Sequence, residues 1–232
     1  MRTTLAAVLL ASVSLVACGG GDDDDTVTPV IDAPIGGDPD APAANCTATA
    51  SHGDKGALTG SAYFSPGMAA GDATDDVLEY VALLDQGATP DGLDILLYAG
   101  YGAFSAGAIT PGTYQLTGEE LNFATCGVCV LMATDVTEAG YADDYMAVSG
   151  TVEITAVGTA LGQTFTGRLT NIQFAHVNID ENTLETTAAG DSCSSSLTNA
   201  TFTGTLAAPP TGRLASPISP LASEAKALRL RR

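Results

Sequence analysis

The 232-residue sequence has no tryptophan and only two histidines, and its 8 Lys and Arg face 27 Asp and Glu, a formal charge of −19. Such a chain is repelled by nucleic acid phosphates and gains nothing from anionic lipid headgroups. Nucleic acid is therefore excluded as a partner, and neutral or cationic partners are expected. Two histidines leave little material for histidine-based catalysis or a multi-histidine metal site. The length suits one ordinary domain with tails.

The first eighteen residues have the pattern of a secretory signal. A short basic start precedes a dozen small and aliphatic residues, Leu5 to Val16. Such a run is too short to span a bilayer as a helix and is typical of a signal peptide, predicted here over residues 1–17. Leu-Val-Ala-Cys at residues 15–18 resembles the lipobox of bacterial lipoproteins. The resemblance implies cleavage before Cys18 and lipidation of its sulfur; ordinary secretion is the alternative.

Residues 18–44 are predicted to be the lipidated cysteine and a disordered acidic tether. Three glycines and the aspartates Asp22–Asp25 cannot pack, and the Asp, Pro and Ala that follow extend and stiffen the chain. By resemblance to enteric sorting rules, Gly19 in place of Asp favours the outer membrane. The lipobox thus implies an exported protein that is held to a membrane through its N-terminal lipid and faces the periplasm or the cell surface.

Residues 45–208 are predicted to form one all-β domain, an antiparallel β-sandwich or barrel-like fold of about eight strands. Short apolar or alternating runs, rich in Thr, Val, Ile, Phe and Tyr, are separated by Gly, Asp and Pro. The predicted strands are Leu58–Phe64, Val77–Leu84, Leu93–Tyr98, Gly112–Leu116, Leu121–Ala133, Met146–Val157, Thr164–Val177 and Thr198–Leu206. A helix is the alternative for Val77–Leu84, because the aspartates before it can cap one.

A short sequence repeat, called the echo below, occurs in two of the predicted strands. Residues 164–169 and 201–206 share the pattern Thr-Phe-Thr-Gly-x-Leu, 37 residues apart. Two copies are too few for a solenoid, so the echo predicts two strands in similar positions. Their glycines are expected where a strand bends or meets a large neighbour. Beyond them, residues 209–232 are rich in Pro, Ser and Ala and end in a basic run, which predicts a disordered tail.

Four cysteines fall within the predicted domain: Cys46, Cys126, Cys129 and Cys193. An even number in an exported domain predicts two disulfides. Residues three apart in a flat strand face opposite sides, so Cys126 and Cys129 are expected to bond to different partners unless a turn lies between them. A redox pair, or zinc bound by these two cysteines and two of Cys46, Cys193, His52 and His176, are the alternatives. Covalent haem is excluded because Val130 follows the second cysteine.

Three stretches around these cysteines carry a second resemblance. Residues 124–131, residues 149–154 and residues 190–193 are similar to a group of envelope lipoproteins from myxobacteria and their relatives. The similarity covers about half of the chain. It implies no activity.

A catalytic constellation is hard to find. Residues 103–107, Ala-Phe-Ser-Ala-Gly, only half match a nucleophile elbow and are interpreted as a glycine-rich loop. His176 is expected to be a partly buried histidine whose ring nitrogens have hydrogen-bond partners, and His52 is expected to be solvated. Three neighbouring acidic pairs could serve glycoside hydrolysis only if folding placed a pair across a cleft; they are Asp143-Asp144, Glu119-Glu120 and Asp180-Glu181.

Calcium is the only cofactor that the sequence predicts. Asp72, Asp75 and Asp76, or Asp91 and Asp94 around Gly92, offer loop oxygens of the kind that extracellular modules use for weak calcium binding. The alternative is capping and turn formation by aspartate.

Binding or structural presence at the envelope is therefore the predicted role, with a carboxylate-dependent hydrolase and a metal or redox module as alternatives. A protein or glycan partner would need exposed aromatic residues, for which the candidates are Tyr98, Tyr101, Phe104, Tyr141 and Tyr145. The same side chains can equally pack over the core and cover it.

Overall fold

The computed structural model describes residues 46–66 and 73–210, which form ten strands and three short 3-10 helices. The strands are β1 Gly53–Ala57, β2 Gly60–Ser65, β3 Val77–Leu83, β4 Gly92–Tyr98, β5 Gly112–Gln115, β6 Val128–Ala133, β7 Asp144–Ala156, β8 Thr164–Ile179, β9 Thr186–Ala188 and β10 Ser194–Ala207. The 3-10 helices are Ala73–Asp75, Gly102–Phe104 and Gly118–Leu121. The predicted signal peptide, Cys18, the acidic tether, Asp72 and residues 211–232 lie outside the described residues.

Seven strands close into a ring in the order β2-β3-β4-β6-β7-β8-β10, because β10 pairs with both β8 and β2. The short strands β1, β5 and β9 pair with β10, β7 and β8. The all-β prediction is confirmed in its barrel-like form, and the strand interpretation of residues 77–84 is also confirmed. The described part of the chain contains no helix with the length and apolarity to cross a membrane.

The sheet is mixed, which corrects the prediction of a purely antiparallel one. β10 runs parallel to β1 over residues 197–201 and parallel to β2 at Leu206 and Ala207. β1 and β2 follow each other along the same edge of the long β10, so both keep one direction beside it. The remaining ring pairings are antiparallel.

The two copies of the echo lie side by side in the core. They pair antiparallel on β8 and β10, with Phe202 opposite Gly167 and Gly204 opposite Phe165. The two phenylalanine rings are buried and meet edge to face, with centroids 5.1 Å apart. A Cβ on Gly167 would collide with the Phe202 ring and with the carbonyl oxygen of Glu153. The prediction that these glycines meet large neighbours is therefore confirmed at Gly167.

Both faces of β4 are covered. Along β4, Leu93, Ile95 and Leu97 join the core inside the ring, whereas Leu96 and Tyr98 pack into a second cluster outside it. Every residue of β4 is consequently buried, and the strand consists almost wholly of apolar residues.

The segment before β6 departs from the predicted strand Leu121–Ala133. A 3-10 helix ends at Leu121, and the backbone N–H groups of Thr125 and Cys126 donate to the carbonyl of Asn122, which makes a turn. The strand therefore begins only at Val128. The sequence did not predict β1 and β9, because these short strands lack an alternating apolar pattern.

The disulfides join Cys46 to Cys193 and Cys126 to Cys129, with Cα–Cα distances of 5.5 and 5.4 Å. The expectation that Cys126 and Cys129 bond to different partners is wrong, because Cys126 lies in the turn and flat-strand geometry does not apply to it. Both residues of this pair are fully buried. Such burial does not fit a redox pair, which needs solvent access.

Candidate functional site

One end of the ring gathers both histidines and several aspartates. Strands β3, β6 and β8 end there, and β4, β7 and β10 begin there. Residues 46–52, called the N-terminal segment below, contact four of these strand ends. Thr47 donates to Asp143 (2.7 Å), the Ser195 hydroxyl donates to the carbonyl of Thr49 (2.6 Å), and the His52 N–H donates to the carbonyl of Ser196 (2.7 Å). The Cys46–Cys193 disulfide holds the start of the segment.

His52, predicted to be solvated, is instead buried, with 1% of its side chain exposed. The N-terminal segment places it against the loop between β3 and β4. Its Nε2 lies 3.3 Å from Oδ2 of Asp91, yet neither ring nitrogen makes a hydrogen bond. The prediction failed because local polarity around His52 says nothing about a disulfide to a residue 147 positions away from Cys46.

Two aspartates at the ends of the β3–β4 loop complete the group. The Asp91 N–H donates to Oδ2 of Asp85 (3.2 Å), and Oδ1 of Asp85 accepts the N–H of Gly87 (3.1 Å). Asp91 is buried and accepts the N–H of Thr49 on Oδ2 at 3.0 Å. Burial raises the pKa of Asp91, but the His52 contact and the Thr49 N–H outweigh it, so that its pKa is lowered overall.

One ligand atom from each of His52, Asp85 and Asp91 can be chosen so that all three lie within 4.8 Å of one another. This spacing makes the group the candidate metal site of the described residues. The sequence analysis named Asp91 as a calcium ligand and His52 only as an alternative zinc ligand beside cysteines, and it missed Asp85. The available signal was that Asp85 and Asp91 flank the short loop between two predicted strands.

The calcium candidates are scattered. Asp75 ends the first 3-10 helix and Asp76 follows it, whereas Asp94 lies inside β4 with its carboxylate buried toward the outer cluster. Asp91 alone belongs to the three-residue group. Asp72 lies outside the described residues.

His176 is partly buried and satisfied, as predicted. Its Nδ1 lies 2.5 Å from Oδ2 of Asp191, its Nε2 lies 3.5 Å from Oδ1 of Asp143, and its ring stacks on Tyr145. The N–H of Cys193, followed by His176, lowers the pKa of Asp191. Because the two carboxylates lie on opposite nitrogens of the ring, they do not converge on a common point.

A second acidic group lies on the outer face of the ring. Glu79 on β3 lies opposite Leu96, Asp94 lies opposite Val81, and Asp144 opens β7. Burial raises the pKa of Glu79 to about 7. Burial also raises the pKa of Asp144 to about 6, against a hydrogen bond from the Tyr141 hydroxyl (3.2 Å) that lowers it.

The remaining catalytic candidates have structural partners. Glu120 is buried and accepts the N–H groups of Ala103 (2.6 Å) and Val128 (2.5 Å), and burial raises its pKa despite these bonds. Its neighbour Glu119 is exposed. Asp180 caps a turn through the N–H groups of Asn182 and Thr183, which lower its pKa. The first two residues of the glycine-rich loop belong to the 3-10 helix Gly102–Phe104.

The aromatic candidates are mainly core residues. Tyr98, Phe104 and Tyr145 are buried, and Tyr101 and Tyr141 are half-buried. These five side chains therefore do not form an exposed aromatic patch.

Comparison of the chain with protein-family models, with curated proteins and with solved structures gives no match.

Proposed function

We propose that the protein is a lipid-anchored component of the cell envelope whose disulfide-stabilised β domain acts by binding or by structural presence. The observation that carries the proposal is Leu-Val-Ala-Cys at residues 15–18, directly after the apolar run of the predicted signal. Cleavage before Cys18 and acylation would anchor the chain, and residues 19–44 would separate the domain from the membrane. The two disulfides support export, because disulfides persist in oxidising compartments.

The charge of the domain supports a cationic or neutral partner. Residues 45–208 contain 19 acidic residues and two basic ones, Lys55 and Arg168, a formal charge of −17. A surface of one sign attracts ions and proteins of the opposite sign and repels nucleic acid. Gly19 after the modified cysteine favours the outer membrane.

The test is production of the full-length protein in a Gram-negative host that is fed radiolabelled palmitate. We expect the wild-type protein to carry label and to enter the detergent phase of a Triton X-114 partition. A Cys18→Ser variant should lose both properties, because a hydroxyl cannot take the thioether-linked lipid. The double variant Cys46→Ser/Cys193→Ser is the matched control and should keep the label.

Mass spectrometry of the mature N-terminus decides the outcome. A lipid-modified peptide that begins at Cys18 supports the proposal. A mature protein that begins elsewhere, with an unmodified Cys18 thiol, would refute it.

A further inference from the structure

We propose that His52, Asp85 and Asp91 form a binding site for a divalent transition-metal ion, with zinc as the best-fitting ion. The three side chains come from the N-terminal segment and from the two ends of the β3–β4 loop, and their ligand atoms lie within 4.8 Å of one another. The inference is independent of lipid anchoring.

His52 is buried and lacks hydrogen-bond partners at its ring nitrogens. Its side chain is 1% exposed and neither of its ring nitrogens makes a hydrogen bond. Leaving a buried polar group without a hydrogen bond is costly, so an imidazole whose two ring nitrogens both lack one requires an explanation. A metal ion would supply a partner for Nε2, because the lone pair of that nitrogen is then used in coordination.

The spacing of the donor atoms matches that of ligands around a zinc ion. Ligands about 2.0–2.1 Å from a tetrahedral zinc ion lie about 3.3–3.4 Å from each other. The distance from His52 Nε2 to Asp91 Oδ2 is 3.3 Å. A ligand atom of Asp85 lies within 4.8 Å of those of His52 and Asp91, so a third donor is near the same point.

Backbone N–H groups hold both carboxylates. Thr49 donates its N–H to Asp91, and the N–H groups of Asp91 and Gly87 donate to Asp85. Outer hydrogen bonds of this kind orient ligating carboxylates in metal sites. Two carboxylates and a neutral imidazole carry a charge of −2, which balances a divalent ion.

The donor set selects the ion. Calcium and magnesium prefer oxygen ligands, whereas one imidazole nitrogen with two carboxylates suits zinc and its neighbours. The four domain cysteines are in disulfides and offer no thiolates. Three protein ligands leave one coordination position for water or for an external ligand.

The experiment uses the mature full-length chain with its disulfides intact, freed of metal by chelation. Zinc is titrated in competition with a chromophoric chelator, and we expect one ion per chain. The variants His52→Gln and Asp85→Asn should each bind at least about tenfold more weakly, a loss at the scale seen when metal sites lose a supporting group. His176→Gln is the matched control, because His176 also contacts two aspartates but on opposite nitrogens, and it should bind zinc like the wild type.

Two spectroscopic readouts locate the ion. Cobalt in place of zinc should give visible absorption without a thiolate charge-transfer band. The two histidines make the imidazole ¹⁵N spectrum simple: zinc should shift the resonances that disappear in His52→Gln and leave those of His176 in place.

The outcomes are distinct. Tight binding by the wild type that both site variants lose supports the site, and if His52→Gln does not fold, Asp85→Asn decides alone. Wild-type protein without a stoichiometric zinc ion would overturn the proposal. Binding that His52→Gln and Asp85→Asn retain in full would overturn it as well, since the ion would then bind elsewhere on the chain. A preference for calcium over zinc would have the same consequence.

Discussion

Replacing Glu79 by glutamine is expected to change how stability depends on pH. Burial raises the pKa of Glu79 from 4.5 to about 7. The folded protein therefore holds this proton more tightly than the unfolded chain does. The contribution of the group to stability is full below about pH 4.5 and is lost as the pH rises through about 7.

The magnitude follows from the size of the shift. The rise of the Glu79 pKa from 4.5 to about 7 corresponds to about 3 kcal/mol, of which about 2 kcal/mol falls between pH 5.5 and pH 8. Asp144, with its pKa raised to about 6, acts in the same direction at somewhat lower pH. Asp91 and Asp191 have lowered pKa values, so their contributions are lost only as the pH falls below about 4.

Urea unfolding of the wild type and of Glu79→Gln, at pH 5.5 and at pH 8 with the disulfides intact, measures the effect. The free energy of unfolding of the variant relative to the wild type should rise by about 2 kcal/mol between the two pH values, because glutamine stays neutral. Glu153→Gln, at an exposed position on β7, is the control and should show no such change. An equal difference at both pH values for Glu79→Gln would refute the reasoning.

Two further predictions concern the framework. Removing Cys46–Cys193 by a double serine substitution should lower the free energy of unfolding by about 5 kcal/mol, because this bond joins residues 147 positions apart. Removing Cys126–Cys129 should lower it by only about 2 kcal/mol by the same loop entropy, because this bond joins residues three positions apart. Urea unfolding under oxidising conditions measures both, and equal losses would contradict the entropic account. Gly167→Ala should cost about 1–3 kcal/mol because its Cβ collides with the Phe202 ring, whereas Gly87→Ala in an exposed loop should be nearly neutral in thermal unfolding.

Local patterns in the sequence were enough to predict the class of fold and most of its strands. The second half of β7 and most of β10 alternate buried with more exposed side chains, and a half-buried strand requires this period of two. The echo also predicted a real property of the core, because a residue without a side chain is needed wherever a strand lies against a large ring, as Gly167 does against Phe202.

Tertiary structure decided the rest, because the deciding contacts join residues far apart in the chain. Closure of the ring depends on β10 meeting both β8 and β2, and β1 is a strand only because β10 offers it an open backbone edge. His52 is buried in a polar segment that the bond between Cys46 and Cys193 and hydrogen bonds to β10 hold across the end of the ring. Residue type alone carries no record of such a partner, so His52, Asp85 and Asp91 became one group only when the chain folded.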